Sequence, residues 1–118
     1  MNEYEIREYL ESDGTSPFRR WFLGLGTEAR EAVDNAIARM RLGNLGDHES
    51  LGGGLMERRI HSGPSHRIYF GREGAQLILL LGGGTKRRQQ RDVDRASERW
   101  TDYKRRRRWE RKGDRAWR

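Results

Sequence analysis

The chain of 118 residues contains no cysteine, only two prolines and no apolar run longer than five residues. Without cysteine, neither a disulfide framework nor a thiolate zinc site can form. A helix that crosses a membrane needs about 20 apolar residues in succession, which no part of the chain offers. The N-terminus has glutamates where a signal peptide would have basic residues. We therefore expect one domain with a cytoplasmic location and no membrane partner.

Negative charge is scarce in the second half of the chain. The formal net charge of +7 divides into −4 for residues 1–50, +4 for residues 51–103 and +7 for residues 104–118. Such asymmetry favours a polyanionic partner at the basic end, the alternative being a solvated basic surface.

Residues 55–81 have the pattern of three short strands. Apolar and β-branched residues recur in runs bounded by Gly, Pro and Ser, which predicts strands over about 55–61, 66–71 and 75–81. Turn residues at 62–65 and a four-residue loop at 71–74 join them into an antiparallel meander. The last strand, LILLL, is apolar on both faces and is predicted to be interior.

The remaining segments predict a strand within residues 2–10, a helix that begins at Pro17 behind the cap Ser16, a helix capped by Thr27, and a helix from about Lys86. The glycine-rich stretch 43–54 shows no periodicity and is predicted to be a loop. Residues 104–118 are predicted to extend the last helix or to be disordered. The order β-α-α-β-β-β-α defines an α+β fold, in which a small, mostly antiparallel sheet packs against a helical hairpin.

Alternation of side chains along the strands places polar residues together. Glu57, Arg59, Arg67 and Tyr69 share one face of the sheet, whereas Arg58 lies on the other face with Met56 and Ile60. An arginine in the middle of a strand can clamp a phosphate, or it can form a half-buried ion pair with a carboxylate such as Glu57. Both interpretations of Arg67 remain open from the sequence.

The glycines 82–84 lead into a strongly basic segment. The cations are Lys86, Arg87, Arg88 and Arg91. A turn that opens a helix presents free backbone N–H groups to an anion, although an ordinary solvated turn has the same composition. The three histidines have no metal-ligand spacing, so we expect neither a metal nor a cofactor.

Two long segments resemble a known toxin family. The runs RLGNLGDHESLGGGLMERRIHSGPSHRIYF and LILLLGGGTKRRQQRDVDRA are similar to the phage-derived addiction-module killer branch, which is HigB-like, of the RelE/ParE toxin superfamily. The resemblance covers roughly residues 2–103 and leaves out the basic tail. Its most specific pieces are GNLGD, the E-x-R-I and GP-x-x-R-I-Y-F hairpin, and LL-x-GG-x-K-x-x-Q-x-x-D.

The resemblance implies a RelE-like domain over residues 1–103 and the toxin of a type II toxin–antitoxin pair. Such toxins are typically ribosome-dependent, metal-independent endoribonucleases that cut mRNA, and a cognate antitoxin, usually a helix-turn-helix protein, silences them. The implied catalytic residues are Arg67, Lys86, Arg59 and Glu57. For RNA binding we select Arg87, Arg88, Arg91, Tyr69 and Arg58.

The chain departs from the family pattern at three places. Ser65 and His66 replace a GPGYR-like turn, Thr85 stands where many members have Asp, and no residue corresponds to the catalytic Tyr or His found near the C-terminus of related toxins. Two other functions therefore stay open. One is a non-enzymatic gyrase poison of the ParE kind, and the other is a basic nucleic-acid-binding module without catalysis.

Overall fold

The computed structural model describes residues 3–61 and 65–116, the last eight of these by their backbone alone. The predicted turn at 62–65 lies mostly outside this range. The described elements follow in the order β1 (Glu5–Glu8), α1 (Pro17–Leu23), α2 (Thr27–Arg41), β2 (His48–Gly52), β3 (Leu55–Ile60), β4 (His66–Glu73), β5 (Leu77–Thr85), a 3-10 turn (Lys86–Arg88) and α3 (Gln89–Ala116).

The five strands form one sheet in the order β1-β5-β4-β3-β2. β1 pairs with β5 in parallel, and every other neighbouring pair is antiparallel. The apolar strand β5 is interior, as predicted. The α+β class and the mostly antiparallel sheet are thus confirmed.

The helical hairpin covers one face of the sheet. Ser16 accepts a hydrogen bond from the backbone of Arg19 and so caps α1, with Pro17 at the first helical position. The buried side chains that join this layer to the sheet include Phe18, Phe22, Val33, Met40, Ile68, Phe70 and Ile78. The predicted cap of α2 is wrong by one residue, because Gly26 holds the cap position and Thr27 is already helical.

The other face of the sheet is covered by α3. Its buried residues are Ala96 and Trp100, with Val93 and Tyr103 partly buried beside them. Trp100 packs so closely over Gly71 of β4 that a side chain at Gly71 would occupy the place of the indole ring. The apolar side chains of α3 thus face the sheet.

Two glycine-rich segments are strands, which the sequence analysis did not predict. β2 occupies residues 48–52 inside the predicted loop 43–54, and β5 continues through Gly82–Thr85, where a turn was predicted. β2 is an edge strand whose residues are all exposed, so no burial imposes an alternating apolar pattern on it. The glycines of β5 are extended because β4 pairs with them up to Thr85.

The helix α3 continues into the basic tail. Arg106 donates to the carbonyl of Leu10 at 2.9 Å and lies over the ring of Tyr9, and Arg107 forms an ion pair with Glu73 at 2.9 Å. Of the two alternatives for the tail, the structure has the helix extension through Ala116. The first cations of the tail thus anchor the helix to the fold.

In the part of the chain that the structure describes, no helix is long and apolar enough to span a membrane.

We predict that two truncations of the tail behave differently. Removing residues 104–118 deletes the Arg106 and Arg107 anchors and should lower the free energy of unfolding by on the order of 1 kcal/mol more than removing residues 109–118, which keeps both anchors. Thermal and urea unfolding of both truncated proteins measure this difference. Equal stability of the two would show that the anchors contribute nothing.

Candidate functional site

The register of the sheet brings the predicted site residues into one row. Arg59 of β3 is opposite Arg67 of β4, which in turn is opposite Gly84 of β5, and Glu57 is opposite Tyr69. Lys86 follows β5 directly. The long-range pairing of three strands therefore places Glu57, Arg59, Arg67 and Tyr69 on the α3 face, close to the start of that helix.

Glu57 is at the centre of this arrangement and is fully buried. Its Oε1 accepts a hydrogen bond from Gln89 Nε2 at 2.9 Å and lies 3.2 Å from Nε of Arg67. Its Oε2 accepts from Nη1 of Arg59 at 3.1 Å. Together with Tyr69, these residues form the Glu57 cluster, which consists of Glu57, Arg59, Arg67, Tyr69 and Gln89.

Two buried nitrogens of Arg67, Nε and Nη1, make no hydrogen bond among the described residues, although Nε lies 3.2 Å from Glu57 as an ion pair. The hydroxyl of Tyr69, which is fully buried, lies near Glu57 without a well-formed hydrogen bond. Burial raises the pKa of Tyr69, and the negative charge of Glu57 raises it further, so the phenol keeps its proton. Unsatisfied buried donors are costly, so both groups would gain from an acceptor that reached them.

Arg59 links the cluster to the edge strand. It donates to Asp47 at 2.9 Å and to Glu49 at 3.3 Å in addition to Glu57. The hydrogen bonds from Arg59 and His61 hold the pKa of Asp47 well below its usual range. Arg59 is therefore saturated with acidic partners, in contrast to Arg67.

Gln89 and Asp92 belong to the K-x-x-Q-x-x-D motif, and no role was predicted for either residue. Both lie in the first turn of α3, three residues apart, so their side chains share one face of the helix. Gln89 reaches Glu57, and Asp92 lies against Gly84. Burial raises the pKa of Asp92, although four arginines oppose this effect, namely Arg88, Arg91, Arg95 and Arg99. The K-x-x-Q-x-x-D spacing was the signal that could have identified them.

The predicted cations of the helix start form an exposed rim. All four, Lys86, Arg87, Arg88 and Arg91, are exposed. The 3-10 turn that carries the first three has no side-chain cap. This rim places positive charge within reach of a phosphate chain that approaches Arg67.

Arg58 lies apart from the other predicted site residues. It is on the opposite face of the sheet, 7% exposed, with its guanidinium against Gly46 and near Arg39. Burial lowers the pKa of Arg58, and the charge of Arg39 adds to the effect. His66 also points to this opposite face, where its ring centroid is 6.3 Å from that of Trp21.

No group of three metal-ligating side chains comes together within residues 3–61 and 65–116.

No family model matches the chain. An uncharacterized protein of Haemophilus influenzae is 34% identical to it over 83 residues, which cover 70% of this chain and 84% of that protein.

We predict that Glu57→Gln destabilises the fold, because the change leaves the charges of Arg59 and Arg67 without their shared buried partner. Breaking a buried ion pair in this way costs roughly 3–5 kcal/mol. The matched control is Glu49→Gln, which removes an exposed partner of the same Arg59 and should cost less than about 1 kcal/mol. Urea unfolding of both variants would contradict the prediction if their stabilities were equal.

Proposed function

We propose that this chain, which belongs to the same family as the uncharacterized Haemophilus influenzae protein, is the toxin of a type II toxin–antitoxin pair. The toxin cuts mRNA on the ribosome. The resemblance of residues 2–103 to HigB-like toxins supports this proposal, as does the α+β architecture. The proposed enzyme is a metal-independent endoribonuclease that acts in the cytoplasm.

The observation that carries the proposal is the state of Arg67. This residue is buried, fixed by Glu57 and still has an unpartnered Nη1. A guanidinium in this state is preorganised to bind a phosphate, because no solvent shell has to be removed when the anion arrives. The exposed cations from Lys86 to Arg91 supply the attraction that brings an RNA backbone to it.

The proposed reaction is attack of an RNA 2′-hydroxyl on the adjacent phosphate with loss of the 5′-oxygen. Negative charge builds up on the phosphate oxygens during this step. Arg67 and Lys86 stabilise that charge. Both oxygens of the fully buried Glu57 are engaged by other side chains, so we assign Glu57 to the positioning of Arg67 and Arg59 and not to proton transfer.

The proposed partners follow from this reaction. The substrate is mRNA in the ribosome, and a cognate antitoxin, which in this branch is usually a helix-turn-helix protein, would silence the toxin. A small helix-turn-helix protein encoded by the adjacent gene is the simplest observation that would support the pair.

A second candidate function is nucleic-acid or protein binding without cleavage, as in a gyrase poison. The saturation of Glu57 favours it, because a carboxylate whose two oxygens are both engaged has no oxygen free for proton transfer. The two candidates differ in a measurable product: only the nuclease leaves mRNA with new 5′ ends.

We predict that Arg67→Ala and Lys86→Ala abolish growth inhibition on induction. Loss of one preorganised donor to the transition state costs on the order of 10²–10³ in rate. Growth curves and primer extension on induced cells measure the effect, with circular dichroism to establish that both variants fold. Parental toxicity in both would refute the assignment.

The control for this series is Arg7→Ala. Arg7 is an exposed arginine of the edge strand β1 that pairs with Glu5 at 2.8 Å, and β5 lies between β1 and the strands β4 and β3 that carry Arg67 and Glu57. The substitution Arg7→Ala removes one positive charge without changing the site, so the toxicity of this variant should equal that of the parent.

We predict that the purified protein cuts mRNA efficiently only when ribosomes translate it. The basis is the resemblance, together with the engagement of both Glu57 oxygens, which leaves the site without a free base at its centre. Cleavage maps with and without translating ribosomes test the requirement. Equal cutting of naked mRNA would disprove it.

A further inference from the structure

The three successive glycines of β5 have a role that the proposed phosphate chemistry does not explain. A side chain at Gly82 would lie 2.7 Å from Nη1 of Arg99, one at Gly83 would overlap the ring of Trp21, and one at Gly84 would overlap the carboxylate of Asp92. Each glycine thus makes room for one large side chain. Two of these come from α3 and one comes from α1, so the walls belong to both helical layers.

These side chains meet at an unpaired edge of the sheet. β1 pairs with β5 only as far as Leu80, whereas β4 pairs with it up to Thr85. Within the described residues, the backbone of Gly82–Thr85 therefore has a strand on one side only. On the open side, Arg99 donates to the carbonyl of Leu81 at 2.9 Å.

A cavity of about 270 Å³ opens at this edge. We name it the edge pocket, and its principal walls are Glu11, Trp21, Gly83, Asp92, Arg95 and Arg99. It adjoins a wider cleft of about 530 Å³ that shares Glu11, Arg95 and Arg99. A planar ligand that entered the edge pocket would have an indole, strand-edge backbone groups and a carboxylate around it.

We propose that the edge pocket binds a single RNA base and selects guanine. Bases of single-stranded RNA are recognised by stacking on aromatic rings or guanidinium planes and by hydrogen bonds along their Watson–Crick edges. Trp21 offers the ring, Arg99 the guanidinium, and the unpaired edge of residues 82–85 the backbone groups. Arg20 and Arg95, both exposed at the mouth, match the flanking phosphates.

Selection of guanine follows from the carboxylates. Asp92 is half-buried in the edge pocket and an ionised carboxylate only accepts hydrogen bonds. Guanine presents two adjacent N–H donors on its Watson–Crick edge, which match the two oxygens of one carboxylate. Adenine, cytosine and uracil each place an acceptor beside their donor, which the carboxylate repels.

The inference rests on the proposed function for its biological meaning, because the edge pocket lies next to the phosphate site. Gly83 neighbours Gly84, which is opposite Arg67 across a strand spacing of about 5 Å. A base held in the edge pocket would thus fix which phosphate of the RNA lies at Arg67. The selected base would determine where the chain is cut.

The test uses the full-length protein and 5′-mononucleotides, which bind without being cleaved. In ¹⁵N-labelled protein, GMP should shift the amide signals of Gly82 and Gly83 and the indole signal of Trp21, and AMP should bind about tenfold more weakly. Asp92→Asn should remove this preference for GMP. Asp94→Asn makes the same charge change on an exposed residue of the same helix and should preserve it.

Other outcomes overturn the proposal. Equal affinity for GMP and AMP would refute the selection of guanine, and shifts confined to residues 86–91 would reduce the binding to electrostatic attraction. An acetylated Glu-Val-Glu-Val-Glu-Val peptide tests whether the unpaired edge of β5 binds a protein strand. If this peptide shifts the amide signals of residues 82–85 and GMP does not, the edge binds a protein strand and not a base. Should Arg67→Ala keep full toxicity while GMP binds as expected, the nuclease proposal fails and the edge pocket stands.

Discussion

The buried carboxylate of Glu57 is the interaction on which the site depends. It lies between two arginines and an amide, so it holds side chains from β3, β4 and α3 with its two oxygens. A charge with no exposure is stable only with such partners, since the loss of its hydration must be offset by close ion pairs and hydrogen bonds. The same requirement fixes the guanidinium of Arg67 in one orientation. The same contacts of the Glu57 cluster therefore stabilise the fold and hold the side chains of the candidate site in position.

The glycines of β5 impose the second constraint. Because they carry no side chains, α1 and α3 can both approach the end of the same strand, one from each face of the sheet. The proposed phosphate site at Arg67 and the edge pocket at Gly83 then lie on the two sides of a single strand. This proximity is what allows one proposed subsite to determine the register of the RNA in the other.

The helix α3 combines several roles along its length. Its first turn supplies Gln89 and Asp92 to the site, its middle buries Trp100 against Gly71, and its later cations anchor it to the turn after β1 and to β4. Charge that the composition assigned to a solvated or disordered tail is therefore partly structural. Arg106 and Arg107 pair with described groups, whereas Arg105 and Arg108 have exposed side chains.

The sequence by itself determined the elements whose side chains alternate between water and a core. The cap and first proline of α1 follow from local residue types, and the strands β3 to β5 follow from local periodicity. Alternation also predicted that Glu57, Arg59, Arg67 and Tyr69 share a face. Local patterns did not predict strands where burial imposes no alternation of apolar and polar residues. This is the case in the exposed edge strand β2 and in the glycines of β5 that pair with β4. Only the tertiary structure decided that Glu57 is saturated, that Arg67 is not, and that Trp21 and Asp92 meet at one strand edge. The contact of Gln89 with Glu57 joins residues 32 positions apart, and Trp21 packs against Gly83, which is 83 − 21 = 62 positions away. No local pattern of the chain encodes such contacts.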